Sequence, residues 1–227
     1  MPGAAGTGRR VGRPTEAVLS VGLIAETALK VIDASRTGDF TMTELADALG
    51  VKASAIYNHV GGRVEVLERV RELVSDRIDT SAFGRMPWGD AVANWARSYR
   101  SAFAMHPVTV ALFATTRVGG ASRTLAMYER VTAAFVDAGW PQSEVLSVIV
   151  ALEDYILGAA LDVVAPDDML DPKGSPDAPQ LVAAYAAQTP AHGGSRADAS
   201  FELGLAALIS GLSARRDALA SAARDQP

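Results

Sequence analysis

Between Leu19 and Ile32 the apolar positions Leu19, Ile24, Ala25, Ala28, Leu29 and Ile32 recur every three or four residues, the spacing of one buried helix face. The pattern predicts a helix from Thr15, a capping residue, to about Ser35, broken by Thr37, Gly38 and Asp39. Thr41-Met42-Thr43-Glu44 then fits a capping box, in which Thr41 takes the third amide and Glu44 reaches back. The short helix that follows turns Leu45, Ala46 and Leu49 inward and ends at Gly50. A second short helix is expected from Ala53 to Val60 with Ile56 and Val60 inward, closed by Gly61-Gly62. A longer one runs from Arg63 to Ile78, burying Val66, Leu67, Val70, Leu73, Val74 and Ile78.

The rest of the chain continues in the same period. Helices are expected from Trp88 to Met105, from Pro107 onward, from Ser122 to Ala138, and from Ser143, as cap, to about Val164. Residues 166–195 are rich in Pro, Gly and Asp and read as a long loop. It holds one short helix near Asp177 to Gln188, with Pro179 close to its first position. A last helix covers Ala197 to Ala222. No segment alternates with the period of a strand, and no internal repeat stands out. The predicted class is all-α, a three-helix head followed by a larger helical body. The expected boundaries are a flexible basic arm over 1–14, a head over 15–62, and a body over 63–227. That body includes a connecting helix at 63–80 and the 166–195 loop.

Composition narrows the chemistry. With 49% hydrophobic and 21% charged residues the chain has the makings of a packed core. It contains no cysteine, which removes disulfides, thiolate catalysis and cysteine-based zinc sites and agrees with a cytoplasmic setting. The first fifteen residues have no apolar core of a signal peptide, and no stretch is apolar enough for a membrane span, so no membrane partner is expected. The net charge of −5 runs against a nucleic-acid binder. Yet the start of the chain carries Arg9, Arg10 and Arg13 and no acid before Glu16. A small head docks through a few placed contacts while an acidic body sets the total.

Two short helices split by Gly50-Val51-Lys52 and braced by a longer one have the spacing of a helix-turn-helix. In such a unit the second helix presents side chains to base edges in the major groove. Here that face is Lys52, Ala53, Ser54, Ala55, Tyr57, Asn58 and His59, with Arg63 just beyond, at a helix start suited to phosphate. The same spacing also describes two ordinary helices of an all-α core.

The stretch from Phe40 through Val51, then Ala55-Ile56-Tyr57-Asn58-His59-Val60 and Arg63 through Leu67, resembles the signature of the tetracycline-repressor (TetR) family. The resemblance covers about residues 13–70, and Gly12-Arg13-Pro14 is similar to the arm that precedes the family's first helix. It implies a DNA-binding transcriptional regulator, of repressor type, that faces DNA with Arg13, Thr43, Lys52, Ser54, Ala55, Tyr57, Asn58, His59 and Arg63. Gly61-Gly62 departs from the family's usual polar pair, and Arg63 stands where lysine is typical.

The body carries further resemblance. Arg97 through Ala102, Leu157 through Asp162, and Phe201 through Leu205 with Leu208 through Leu212 are similar to the fifth, eighth and tenth helices of the tetracycline-repressor subgroup. The family pairs the last two across a homodimer, which implies an interface of Leu157, Gly158, Leu161, Phe201, Leu205, Leu208, Ile209 and Leu212. Gly158, Gly204 and Gly211 fit close backbone approach there, although such a stripe is also the mark of intrachain core. A dimer suits the function, since two heads about 34–36 Å apart read a palindromic operator.

Trp95, Tyr99, Phe103 and His106 share one helix face, and Phe113, Met127, Val131, Phe135, Tyr155 and Asp162 follow on later helices. These residues are the candidate ligand pocket, apolar with a few polar anchors, and each is equally readable as plain core. The histidine that holds a magnesium–drug complex in the subgroup falls on Leu112 or Phe113. A metal chelate is therefore not expected, and the implied effector is a small, largely apolar or aromatic molecule. Asp162 reads either as a ligand contact or as a solvated helix-end charge.

No cofactor and no catalytic residues are expected. The three histidines, His59, His106 and His192, have no metal-ligand spacing, no serine sits in a nucleophile elbow, and His106 has no acid evident to orient it. The alternative reading is a helical ligand- or protein-binding module without sequence-specific DNA binding.

Overall fold

A computed structural model describes residues 19–119, 123–188 and 195–224. Among them the secondary structure is helical throughout: α1 (Val21–Ala34), α2 (Met42–Leu49), α3 (Ala53–Ile56), α4 (Arg63–Ser75), α5 (Trp88–Ala104), α6 (Val108–Ala114), α7 (Arg123–Asp137), α8 (Gln142–Asp162), α9 (Pro179–Ala186) and α10 (Arg196–Arg224).

The helix starts follow from local chemistry. Ser20 Oγ accepts the Leu23 amide at 3.2 Å and caps α1, so this helix begins later than the expected Thr15, which lies outside the described residues. The capping box of α2 is complete: Thr41 Oγ1 accepts the Glu44 amide at 3.1 Å and Glu44 Oε2 accepts the Thr41 amide at 2.7 Å. Gly50 ends α2 in the left-handed region at φ 68°, where a side chain costs about 1 kcal/mol or more. α3 is shorter than the expected Ala53–Val60. Its continuation tightens into turns, with the Asn58 amide on the Ala55 carbonyl and the His59 amide on that of Ile56, because Gly61-Gly62 offers no helical continuation. α8 is capped by Pro141 and not by Ser143, which lies inside its first turn. Pro141 has no amide to lose and its φ suits an extended entry.

The head is α1 to α3, with α1 packed on α2 and α4 and α3 on α2. α4 leaves the head and enters the body, where it meets α5 and α7. In the body α5 lies along α8, and α10 covers both. α6 returns to touch α1. There Gly38, at φ 73°, lets the loop after α1 approach Val108 so closely that a Cβ would stand 2.7 Å from Val108 Cγ1. One contiguous core runs from Ile24 and Ile32 through Val66 and Val74 to Trp95, Phe135, Ile149, Phe201 and Leu205, so head and body share their hydrophobic interior. No helix among the described residues is long and apolar enough to cross a membrane.

Candidate nucleic-acid interface and ligand pocket

Ile56 and Val60 are buried in the head, at 0% and 3% exposure. Anchoring them turns the other side of α3 and the turn after it outward. Lys52, Ser54, Asn58 and His59 are exposed, Tyr57 is 53% exposed, and Thr43 is exposed on neighbouring α2. Ala55 is half-buried. Tyr57 thus stands about half in solvent among exposed polar side chains. Hydroxyl, amide, imidazole and ammonium groups gathered on one small face can all donate to phosphate or base edges. Arg13 lies outside the described residues.

Arg63, expected to face phosphate, keeps its side chain 40% exposed and also makes contacts within the head. Its Nε donates to the Phe40 carbonyl at 3.1 Å, its other end pairs with Asp39, and its guanidinium lies 5.1 Å from the centre of the Phe40 ring. The residue therefore clasps the start of α4 to the loop before α2. Sequence spacing placed it at a helix start but carried no sign that the Asp39-Phe40 loop folds back beneath it.

In the body the aromatic residues form a continuous column. Trp140 meets Trp88, Trp88 meets Phe135, and Phe83 bridges Phe135 to Trp95; Trp95 then leads through Tyr99 and Phe103 to Phe113, with centroid spacings of 5.1–6.3 Å throughout. Met127 and Val131 are buried on α7 beside it. Beside this column sits a polar node absent from the sequence reading. Glu153 Oε1 accepts the Tyr99 hydroxyl at 3.0 Å and the Tyr128 hydroxyl at 2.7 Å. Burial raises the Glu153 carboxyl above its ordinary range, against the lowering effect of the two hydroxyls and of Arg71. Both tyrosines are raised in turn, first by burial and then by the neighbouring Glu153 charge. Arg71 is lowered by its own burial. It reaches from α4 to the Phe113 and Thr116 carbonyls at 3.3 and 2.8 Å, over the Phe113 ring. Trp95, fully buried, keeps its indole N–H without an acceptor among the described residues. A signal for Glu153 was present: Ile149, Leu152, Glu153, Ile156 and Ala160 share one inward face of α8, and only Glu153 is charged.

Three expected pocket residues are placed elsewhere. His106 lies beyond the end of α5 and turns to α1, its Nδ1 2.8 Å from Asp33 Oδ2, because the chain leaves the helix at Met105 and the side chain no longer follows the α5 face. Tyr155 faces α10: its ring stacks on Phe201 at 5.8 Å and its hydroxyl donates to the Phe201 carbonyl at 2.7 Å. Asp162 is held by Arg196 through two contacts of 3.1 and 2.7 Å, so it is an ion-paired charge, and with Tyr155 it lines a cleft between α8 and α10 and not the aromatic column.

The expected dimer stripe divides. Phe201 and Leu205 are buried in their own chain, at 2% and 1% exposure, with the Arg100 guanidinium 4.6 Å from the Phe201 ring. Helical period marks an apolar face without saying whether the chain or a partner covers it; here α5 and α8 do. Leu157, Ile209 and Leu212 are half-buried against the same core, and Leu208 is half-buried. The Gly204 position is filled by the Tyr155 ring of the same chain, whereas Gly158 and Gly211 face open space. Exposed apolar side chains lie further round: Leu146, Val150 and Leu161 on α8 and Leu203 on α10. No cluster of three or more metal-ligating side chains occurs among the described residues.

Residues 82–216 match the family model of the tetracyclin repressor-like C-terminal domain. The chain is 28% identical over 145 residues to an HTH-type transcriptional regulator of Saccharopolyspora erythraea, covering 64% of this chain and 61% of that one. It is 26% identical over 155 residues to the HTH-type transcriptional repressor DrrR1 of Streptomyces coeruleorubidus, covering 68% and 57%. The chain thus spans about six tenths of the length of these two curated relatives. Among solved structures, the Streptomyces coelicolor TetR family protein ActR in complex with (S)-DNPA is similar at a TM-score of 0.70 and 27% identity, over 87% of this chain and 98% of that one.

Proposed function

The chain belongs to the tetracycline-repressor family, and from that premise we propose that it is a cytoplasmic, non-enzymatic transcriptional repressor that binds a palindromic DNA operator as a homodimer and leaves it when a small, largely apolar or aromatic ligand enters the body. The observation that carries this reading is the outward face of α3 and its following turn: Tyr57, Asn58 and His59 stand in solvent while Ile56 and Val60 pin the same segment to the core. One such short face gives little affinity, and two at matched spacing read a palindrome.

The exposed apolar side chains Leu146, Val150 and Leu161 on α8 and Leu203 on α10 support the dimer, since large apolar groups left in solvent suit a partner surface. The ligand would lie along the aromatic column, near Trp95, Phe103, Phe113, Met127 and Val131, with Tyr99, Tyr128 and Glu153 as polar anchors. That ActR is solved in complex with (S)-DNPA supports a small-molecule ligand. Release requires only that the ligand prefer a head spacing that does not fit the operator. Arg71 ties α4 to the end of α6, so movement at the column reaches the head through α4.

The test is a gel shift with the DNA upstream of the gene, at stated salt and with competitor DNA. A discrete dimer complex that small aromatic compounds dissociate is the expected result. Equal binding to unrelated DNA would overturn sequence-specific regulation.

A further inference from the structure

At the end of the body away from the head contacts, a cleft of about 520 Å³ opens between the loop after α4, the start of α5, the last turns of α7 and the C-terminal part of α10. Its walls are chemically sorted. Phe83 and Trp88 supply rings, Ala134 supplies a flat small surface, and Arg130 and Arg216 supply two cations against the single acid Asp137.

The two arginines hold different positions. The Arg216 guanidinium lies 5.7 Å from the centre of the Trp88 ring and is hydrogen-bonded to its neighbour Asp217 at 2.9 and 3.1 Å. It is thus already engaged by a carboxylate, and it extends the aromatic wall as a plane. Arg130 donates through one Nη to the Thr80 hydroxyl at 2.9 Å and has no carboxylate partner among the described residues, although Asp137 lines the same cleft. A guanidinium fixed at one corner keeps its remaining N–H groups for a planar anion, which arginine binds in bidentate fashion. Flat apolar walls with one such donor set match one class of molecule, and the volume falls within the range of small-ligand sites.

We propose that this cleft, at the Phe83–Trp88 end of the aromatic column and apart from the Trp95–Phe113 stretch proposed for the effector, is a second small-molecule site that takes a small aromatic carboxylate. The ring lies between Phe83, Trp88 and Ala134, and the carboxylate meets Arg130. Asp137 opposes the anion and weakens its binding. The site depends on neither DNA recognition nor the effector pocket, so it stands or falls apart from both.

The experiment is calorimetric titration of the full chain with 2-naphthoate and with the neutral 2-naphthylmethanol. The expected result is binding of the acid at least tenfold tighter than the alcohol. Arg130→Gln should weaken the acid at least fivefold and leave the alcohol unchanged. Asp137→Asn, a change at an exposed position, should tighten the acid two- to fivefold. A Tyr99→Phe variant, altered at a residue that does not line the cleft, should bind it as the parent does. Equal affinity for acid and alcohol, no binding of either, or indifference of the acid to both cleft substitutions would each overturn the proposal, as would loss of binding in Tyr99→Phe alone.

Discussion

His106, just past the end of α5, hydrogen-bonds Asp33, in the last turn of α1, at 2.8 Å. This contact ties the body to the head across 73 residues of chain, beside the close approach of Gly38 to Val108. The arrangement sets where the head sits relative to the α5–α6 turn, while Arg71 joins α4, which packs on α1, to the end of α6. Together with the shared core and the continuous helix α4 they give the head a defined orientation.

Removing the first tie should loosen that orientation. Asp33→Ala leaves the half-buried imidazole without its partner and should lower stability by about 1 kcal/mol, read from urea unfolding. If operator affinity depends on head placement, the same variant should respond less to any ligand that dissociates the parent. A response identical to the parent's would assign the coupling to α4 alone.

The DNA-facing tyrosine and the structural arginine should separate by variant. Tyr57→Ala removes an exposed side chain and should weaken operator binding with an unchanged melting temperature. Arg63→Ala breaks the contacts to Asp39 and Phe40 and should cost about 1 kcal/mol of stability as well as affinity. Thermal melts run beside gel shifts check both; a fully stable Arg63→Ala would contradict the clasp.

Glu153 predicts a pH dependence of defined sign. Its carboxyl is raised by burial in the folded chain, so folding favours the neutral acid. That stability is fully present below the ordinary value of 4.5 and is lost as pH rises through the raised value, by about 1.4 kcal/mol for each unit of displacement. Glu153→Gln keeps an acceptor for Tyr99 and Tyr128 without the charge. It should flatten this part of the profile and be more stable than the parent at neutral pH. Urea midpoints measured from pH 4.5 to 8 decide it.

The α8–α10 surface yields a contrast between neighbours on one helix. Leu203, 76% exposed, tolerates a charge within its own chain, so Leu203→Glu should give folded monomers with weak operator binding. Leu205, at 1% exposure, does not, and Leu205→Glu should unfold the body. Sedimentation and circular dichroism distinguish the two outcomes, and a dimeric Leu203→Glu would remove this face from the interface.

Gly204 is required for a local reason. A Cβ there would collide with the Tyr155 ring and hydroxyl, so Gly204→Ala should destabilise by about 1–3 kcal/mol, whereas Gly211→Ala, at a position facing open space, should leave the isolated chain's core intact. Denaturation of the two variants side by side tests the difference.

Local chemistry written into the chain was enough for the helical class, the order of the elements, the capping box at Thr41 and Glu44, the left-handed end at Gly50, and the inward set Ile56 and Val60. Each depends on residues within a few positions of one another, whose spacing dictates which face is apolar and which backbone groups find a partner. Only the tertiary structure decided that Arg63 clasps Asp39 and Phe40, that Tyr99 and Tyr128 converge on Glu153, that Tyr155 and Gly204 interlock, and that Phe201 faces inward while Leu203 does not. Those outcomes depend on how distant helices are brought against each other. Helical period specifies a stripe's direction around its own axis and nothing about what that stripe meets.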